Sequence, residues 1–377
     1  MLSVVSVIPA KKGITGASLA LVHILLGVVK KTGGKVGVTV VTSAGALRHP
    51  AFRRLRDAGA ACHVLDIDRF PSPLYWLLLM LRLFFLGRHD VAHFSTSKTF
   101  FLMYPAACLT ARAKVLTLEG YAPYELAGES GFRKLIGMMF WQVSLKLADR
   151  VAACSSWLQK VVERSHGYGW KVSTVHNPVD FDRFSAKLEK TPDGPLVFVG
   201  RLHPVKGVDT ALKAVAHLKE RKGVFVKLLV VGDGEEMMRL RKMAEDLGVS
   251  SQVDFLGYRY DVETFMRKAS AVLVPSRYEP FGMTAAEAGA AGKPVVASST
   301  GGLREIVDDG VSGFLFKPED HVELADRVGK LLEDDLLRSR MGEAAHKKVS
   351  EEFSPEAVAS KMVRVYLDAL RQSARRP

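Results

Sequence analysis

Ala271-Val272-Leu273-Val274-Pro275-Ser276-Arg277-Tyr278-Glu279-Pro280-Phe281-Gly282-Met283-Thr284-Ala285-Ala286-Glu287 reads as a strand, a turn and the opening of a helix. The leading apolar run has the continuous hydrophobicity of a strand buried on both faces, as in parallel sheets. Pro280 and Gly282 make the turn after Glu279. Ala285, Ala286, Ala288, Gly289, Ala290 and Ala291 surround Glu287 with small side chains, so a neighbouring backbone or a ligand can approach closely. Backbone N–H groups around Phe281, Gly282, Met283 and Thr284 would face outward at the helix start and suit a phosphate. A carboxylate one or two turns in can take two hydroxyls of a ribose, as acidic residues do in dinucleotide sites.

The same unit recurs on both sides of this stretch. Leu196–Val199 runs into Gly200-Arg201-Leu202-His203-Pro204-Val205-Lys206-Gly207, and a helix starts near Val208-Asp209. Arg201 and Lys206 sit where strand ends and helix starts collect anions; the Arg fork matches a diphosphate and the Lys supplies a point charge. Val226–Val231 leads to Gly232-Asp233-Gly234-Glu235, Val253–Leu256 to Gly257, and Pro294–Ala297 to Gly301-Gly302-Leu303-Arg304-Glu305; Gly313–Phe316 adds another strand. In the first half the strand candidates are Leu2–Ile8, Val36–Thr42, Ala61–Asp66, Asp90–Phe94, Lys114–Leu118, Arg150–Cys154 and Val172–Val175, with helical stretches such as Ala17–Lys31 and Lys134–Ala148 between them. Apolar strands alternating with helices imply parallel strands joined by crossovers, so each half is expected to be an open, doubly wound α/β sheet. Asn177–Pro195 breaks the rhythm with three prolines and several charges. The expected organisation is a first domain over 1–180, a linker over 181–195, a second domain over 196–353 and a terminal helix over 354–377 that packs back on the first domain. Ligands of such sheets bind outside the carboxyl ends of the strands, and two facing domains would enclose a cleft.

A chain of 377 residues is long enough for two cores. Its three cysteines, Cys62, Cys108 and Cys154, are dispersed and show neither disulfide nor metal spacing, which points to a reduced, cytoplasmic setting. Met1-Leu2-Ser3-Val4-Val5 reads as the start of a buried strand, not as a signal peptide. Residues 1–190 hold 25 Lys and Arg against 12 Asp and Glu, a net of +13, whereas residues 191–377 hold 28 of each. The excess directs the first half toward something anionic: a phosphorylated acceptor, an acidic membrane or nucleic acid. No recognisable module or interleaving of aromatic and basic residues supports nucleic acid. Leu74–Leu86 is apolar nearly all round, the pattern of a buried helix, although Trp76, Phe84 and Phe85 beside Arg82 and Arg88 also suit a helix lying at a membrane surface. At thirteen residues it is too short for the roughly 20 that span a bilayer.

Taken together, Gly200-Arg201-Leu202 with Lys206-Gly207, Gly232-Asp233-Gly234-Glu235, the pair Glu279 and Glu287 around Pro280-Phe281-Gly282, and Gly301-Gly302-Leu303-Arg304-Glu305 resemble, in order, the family-4 retaining glycosyltransferases of the GT-B fold. The resemblance implies transfer of a sugar from a UDP- or GDP-linked donor to an acceptor hydroxyl with retained configuration and without a metal or other cofactor. It implies that Arg201 and Lys206 neutralise the donor diphosphate, that Glu279 touches sugar hydroxyls and that Glu287 binds the ribose. Gly200, Gly232, Gly257, Phe281, Gly282, Met283 and Thr284 would complete the donor contacts, and Gly16, in Thr15-Gly16-Ala17, would belong to a glycine loop over the donor. The first half would bind the acceptor, and its basic character makes an anionic or lipid-linked acceptor and a peripheral contact with the cytoplasmic face of a membrane the expected partners.

Two positions depart from the family pattern or leave alternatives. Members commonly carry a histidine after a strand like Val115–Leu118, whereas this chain has Glu119. Glu119 can accept from a sugar hydroxyl or stabilise cationic character at the anomeric carbon; alternatively it is a solvated loop acid, and the chain a non-catalytic nucleotide-sugar-binding or partner-supporting protein. His93 resembles a family position that contacts acceptor or sugar, and reads equally as a packed, hydrogen-bonded histidine. His176-Asn177-Pro178 reads as a structural turn.

Overall fold

The computed structural model describes residues 1–10, 16–125, 131–185 and 194–375. Two wholly parallel sheets organise them. The first contains β1 (Leu2–Ile8), β2 (Val36–Ser43), β3 (Ala61–Leu65), β4 (His89–Phe94), β5 (Ala111–Leu118), β6 (Arg150–Ala153) and β7 (Val172–Thr174), in the order β3-β2-β1-β4-β5-β6-β7. Pairing runs without a slip from Leu2↔Val36 to Ile8↔Thr42 between β1 and β2, and Val4 faces Val91 between β1 and β4. The connecting helices are α1 (Gly16–Thr32), α2 (Pro50–Asp57), α3 (Ser72–Phe85), α4 (Ser97–Thr110), α5 (Ala122–Glu125), α6 (Gly131–Leu147) and α7 (Ser156–His166). The chain steps one way from β1 through α1 and α2, then returns through α3 and onward. Right-handed crossovers therefore put α1 and α2 on one face and α3, α4 and α6 on the other. On that second face α4 packs between α3 and α6.

The second sheet contains β8 (Leu196–Val199), β9 (Leu228–Val231), β10 (Val253–Gly257), β11 (Ala271–Val274), β12 (Val295–Ser298) and β13 (Gly313–Phe316), in the order β10-β9-β8-β11-β12-β13. Its helices are α8 (Phe181–Ser185), α9 (Val208–Lys222), α10 (Met237–Asp246), α11 (Val262–Lys268), α12 (Met283–Ala290), α13 (Leu303–Ile306), α14 (His321–Glu333) and α15 (Asp335–Phe353). Strands as apolar as Leu-Val-Phe-Val and Leu-Leu-Val-Val are what a sheet covered on both faces requires.

The chain divides into two compact units, Met1–Pro178 with Pro355–Pro377, and Val179–Ser354. The helix α16 (Pro355–Ser373) thus belongs to the first unit, where Val358, Met362, Val365 and Tyr366 join Leu21, Ile24, Leu25 and Val28 of α1 in one core. The stretch expected as a linker, 181–195, begins instead with α8, a short helix of the second unit whose Phe184 is buried and which packs on α12; residues 186–193 lie outside the described residues.

The helix α3 is not buried all round. Only Tyr75, Leu79 and Leu83 are buried, at a spacing of four that forms one stripe, and the opposite side faces water, with Phe85 72% exposed. No helix among the described residues is long and apolar enough to cross a membrane.

Candidate functional site

In each sheet the strand order reverses at one point, between β1 and β4 in the first and between β8 and β11 in the second. A crevice opens there at the carboxyl ends of the strands. In the second unit the loops after β8 and β11 flank it, and these are the two that carry Arg201 with Lys206 and Glu279 with Glu287.

Glycines let these loops nest. Gly200, Gly232 and Gly257 stand side by side at the ends of β8, β9 and β10; Gly200 N–H donates to Val231 O at 3.0 Å and Gly232 N–H to Gly257 O at 2.8 Å. A Cβ on Gly232 would lie 1.8 Å from Gly200 O, so no side chain fits between them. Gly301 is held at φ +49, and a Cβ there would lie 2.0 Å from Glu279 O. The loop after β12 therefore leans directly on the backbone of Glu279, and Gly302 N–H donates to Glu279 O at 3.0 Å.

The charged groups divide into paired and unpaired. Lys206 Nζ donates to Glu279 Oε2 at 2.7 Å, and Ser276 Oγ donates to the same oxygen at 3.2 Å. The other Glu279 oxygen takes no bond from any described residue. Arg201 is exposed and forms no ion pair among the described residues, so its guanidinium fork is open to a ligand. Arg277, assigned no role from sequence, ties the two loops together. It grips Asp209 with both terminal nitrogens, at 3.0 and 2.7 Å, donates through Nε to Glu319 at 2.7 Å, and its backbone N–H reaches Val205 O at 2.7 Å. The signal was an arginine fixed between two prolines and an acid in the first turn of α9.

Glu287 lies on α12, partly exposed among Ala285, Ala286, Ala288 and Gly289, all buried. No described residue hydrogen-bonds its carboxyl. Burial pushes that carboxyl up to about 7; Arg183 favours its ionisation, while Asp180 and Glu263 oppose it. Arg183 is itself engaged by Glu263, at 2.6 Å, which weakens its pull on Glu287. The N–H groups of Gly282, Met283 and Thr284 open α12 and bond no described group, while Thr284 Oγ1 donates to Val199 O at 3.2 Å. The ring of Phe281 turns inward onto Phe353, with centroids 5.6 Å apart, so only its backbone can serve a ligand.

In the first unit a cavity of about 610 Å³ opens at the carboxyl ends of β4 and β5. Ser95, Thr117 and Glu119 line its floor, Lys98 and Arg133 add positive charge, and Ile136, Phe140 and Trp141 of α6 form an apolar wall. Ser95 Oγ and Trp141 Nε1 are buried and have no hydrogen-bond partner among the described residues. Glu119 is anchored by the Asn177 amide, which donates to its Oε2; Asn177, read from sequence as a turn residue, orients a cavity side chain. Gly16 opens α1 with free space around it, and Ala17 touches the cavity; Gly13, Ile14 and Thr15 lie outside the described residues.

Of the two readings of His93, the geometry is that of the packed, hydrogen-bonded histidine. It is fully buried, its Nδ1 paired with Tyr366 Oη at 2.8 Å and its Nε2 with Thr117 Oγ1 at 2.7 Å. Burial holds its pKa down at about 3, so the ring is neutral. Both nitrogens are engaged inside the unit, which leaves none for an acceptor or sugar. Sequence places the ring at a strand end but cannot reveal a partner 273 residues away.

These loops and their order match a described family. Residues 180–348 match the model of glycosyl transferases group 1, and residues 33–183 match that of glycosyltransferase family 4. The glycogen synthase of Mycobacterium tuberculosis is 30% identical over 295 residues, covering 75% of this chain and 70% of that protein. The lipopolysaccharide core biosynthesis glycosyltransferase LpsE of Rhizobium meliloti is 35% identical over 207 residues, covering 52% of this chain and 59% of that one. Among solved structures, HepE of Anabaena in complex with UDP-glucose superimposes with a TM-score of 0.76 at 21% identity, covering 97% of this chain and 99% of that one. Sucrose-phosphate synthase of Thermosynechococcus elongatus gives 0.77 at 20% identity, covering 97% and 98%. Family models over both halves, and a relative aligned over most of its length, place this chain among the group 1, family 4 glycosyltransferases with the GT-B fold.

Proposed function

We propose that the chain transfers a sugar from a nucleoside diphosphate sugar to an acceptor hydroxyl, with retention of configuration and without a metal. The observation that carries this reading is that Arg201, Lys206 and Glu279 lie on the two loops at the switch point of one sheet, with Glu287 on the helix that follows the second loop. Arg201 and Lys206 neutralise the diphosphate and stabilise it as the leaving group. Gly282, Met283 and Thr284 offer backbone N–H groups to phosphate. The unbonded oxygen of Glu279 takes a sugar hydroxyl while its partner oxygen stays on Lys206, and Glu287 takes the ribose. The bond between the anomeric carbon and the phosphate oxygen breaks as the bond to the acceptor oxygen forms on the same face, and the acceptor proton passes to the departing phosphate. A uridine donor is the first choice, because HepE was solved with UDP-glucose.

The acceptor belongs in the first-unit cavity. Lys98 and Arg133 suit an anionic group, Ser95 and Trp141 supply unused donors, the α6 wall suits an apolar portion, and Glu119 accepts from a hydroxyl. The test is a thermal-shift screen of nucleotide sugars followed by turnover in the presence of a chelator. Stabilisation by a UDP- or GDP-sugar and activity that survives chelation are expected; loss of activity restored only by magnesium or manganese would overturn the metal-free mechanism.

A further inference from the structure

The outward sides of α3, α4 and α6 form one surface of unusual composition. On α3, Leu74, Leu77, Leu81 and Phe84 recur at intervals of three and four along the water-facing side, with Phe85 beside them. On α4 the corresponding side carries Phe101, Leu102 and Leu109, the last 68% exposed. On α6 it carries Phe132, 74% exposed, Leu135, 68% exposed, and Met139. The three stripes are continuous: Lys98 of α4 lies over the Trp76 ring of α3 at 5.6 Å, and Phe101 of α4 stacks on Phe140 of α6 with centroids 4.7 Å apart. None of these helices contains an aspartate or glutamate. Their charged residues are Arg82, Lys98, Arg133, Lys134 and Lys146, and of these Arg82 turns to His63.

We propose that this three-helix face docks on an anionic lipid bilayer. Exposed apolar patches spanning several elements are rare on monomeric proteins and mark an interaction surface. Apolar side chains interspersed with cations alone are the composition of an element lying in the interface of a negatively charged membrane. Self-association is opposed by the same charges, since pairing the face with its copy would set Lys134 and Lys146 against like charges. The net charge of +13 over residues 1–190 extends the attraction beyond the contact itself. The inner side of α6 walls the cavity assigned above to the acceptor, so, resting on that reading, the docked face would admit an amphiphilic acceptor whose apolar part stays in the bilayer.

The test is co-sedimentation of the full chain with vesicles of phosphatidylcholine and with vesicles in which phosphatidylglycerol replaces part of it, at low and high salt. Binding to the anionic vesicles that falls several-fold as salt rises is expected. The double substitutions Phe84→Ser with Phe85→Ser, and Lys134→Glu with Lys146→Glu, touch neither the cavity lining nor the second-unit loops. Each is expected to lower binding at least about tenfold while leaving the melting midpoint and nucleotide-sugar affinity unchanged. No binding to anionic vesicles by the parent chain, binding indifferent to both double variants, or a concentration-dependent dimer abolished by Phe84→Ser with Phe85→Ser would overturn the proposal. Nucleotide-sugar affinity reports on the catalytic reading separately, so failure of one is not mistaken for failure of the other.

Discussion

If Glu287 takes the ribose as proposed, it couples donor binding to protons, with a size and sign that follow from its surroundings. Burial raises its carboxyl from an ordinary 4.5 to about 7. Because the folded-state value lies above the unfolded one, the protonated form is the stabilised one. Its contribution is complete below pH 4.5 and is lost as pH rises through 7, a difference of about 3 kcal/mol. A ribose diol donating two hydrogen bonds reverses this by favouring the carboxylate. If the bound value returns to about 4.5, affinity falls about 25-fold between about pH 8 and about pH 5.5, or about 2 kcal/mol, and about 0.9 proton is released on binding near pH 6. A nucleoside diphosphate sugar is the ligand to use, since its phosphates hold no proton in this range. Isothermal calorimetry in two buffers of different ionisation heat gives the proton count directly. Glu287→Gln removes the titrating group, so its affinity should be weaker at pH 8 and flat with pH. Parent affinity that does not change with pH, or an equal pH dependence in Glu287→Gln, refutes the assignment of this carboxyl to the ribose.

Arg201→Ala removes the unpaired guanidinium and should weaken nucleoside diphosphate binding by about 1.5–3 kcal/mol with little change in melting midpoint, as read by calorimetry and thermal denaturation. Asp209→Asn breaks the doubly bonded grip on Arg277 and loosens the loop that presents Lys206; turnover at saturating donor should drop several-fold, and an unchanged rate would show that the clamp does not position the site. Gly301→Ala combines φ +49 with a Cβ 2.0 Å from Glu279 O, and should cost about 2 kcal/mol or more in denaturant titration. Tyr366→Phe leaves His93 Nδ1 without its partner and should cost about 1–3 kcal/mol without affecting nucleotide affinity.

The parallel strands were legible because a strand covered on both faces has to be apolar throughout, and Leu196–Val199 and Ala271–Val274 are. Loops at strand ends were legible because glycines and prolines fall where backbone must turn or touch backbone. Gly301 reads in the sequence only as part of a loop after a strand, yet it sets how closely that loop approaches Glu279, a fact that depends on two loops 22 residues apart meeting. Pairings of this kind escape local reading: Asn177 with Glu119, Arg277 with Asp209, His93 with Tyr366. The helix α3 misled for a different reason. Hydrophobicity all round predicts burial only if something covers every side, and composition cannot say that two neighbours cover just one stripe.

The first unit is assembled from residues that lie on both sides of the second. On the ribosome, Val179–Ser354 is made before α16, and domains tend to fold as they emerge. Until then Leu21, Ile24, Leu25 and Val28 of α1 lack their Val358, Met362 and Val365 counterparts, and His93 lacks Tyr366. The α1 side of this core is therefore sealed only after the second unit has been made, and the nascent chain carries an uncovered apolar helix throughout that interval. A stop codon just after Ser354 would spare every residue of the second unit and still leave the core of the first one open.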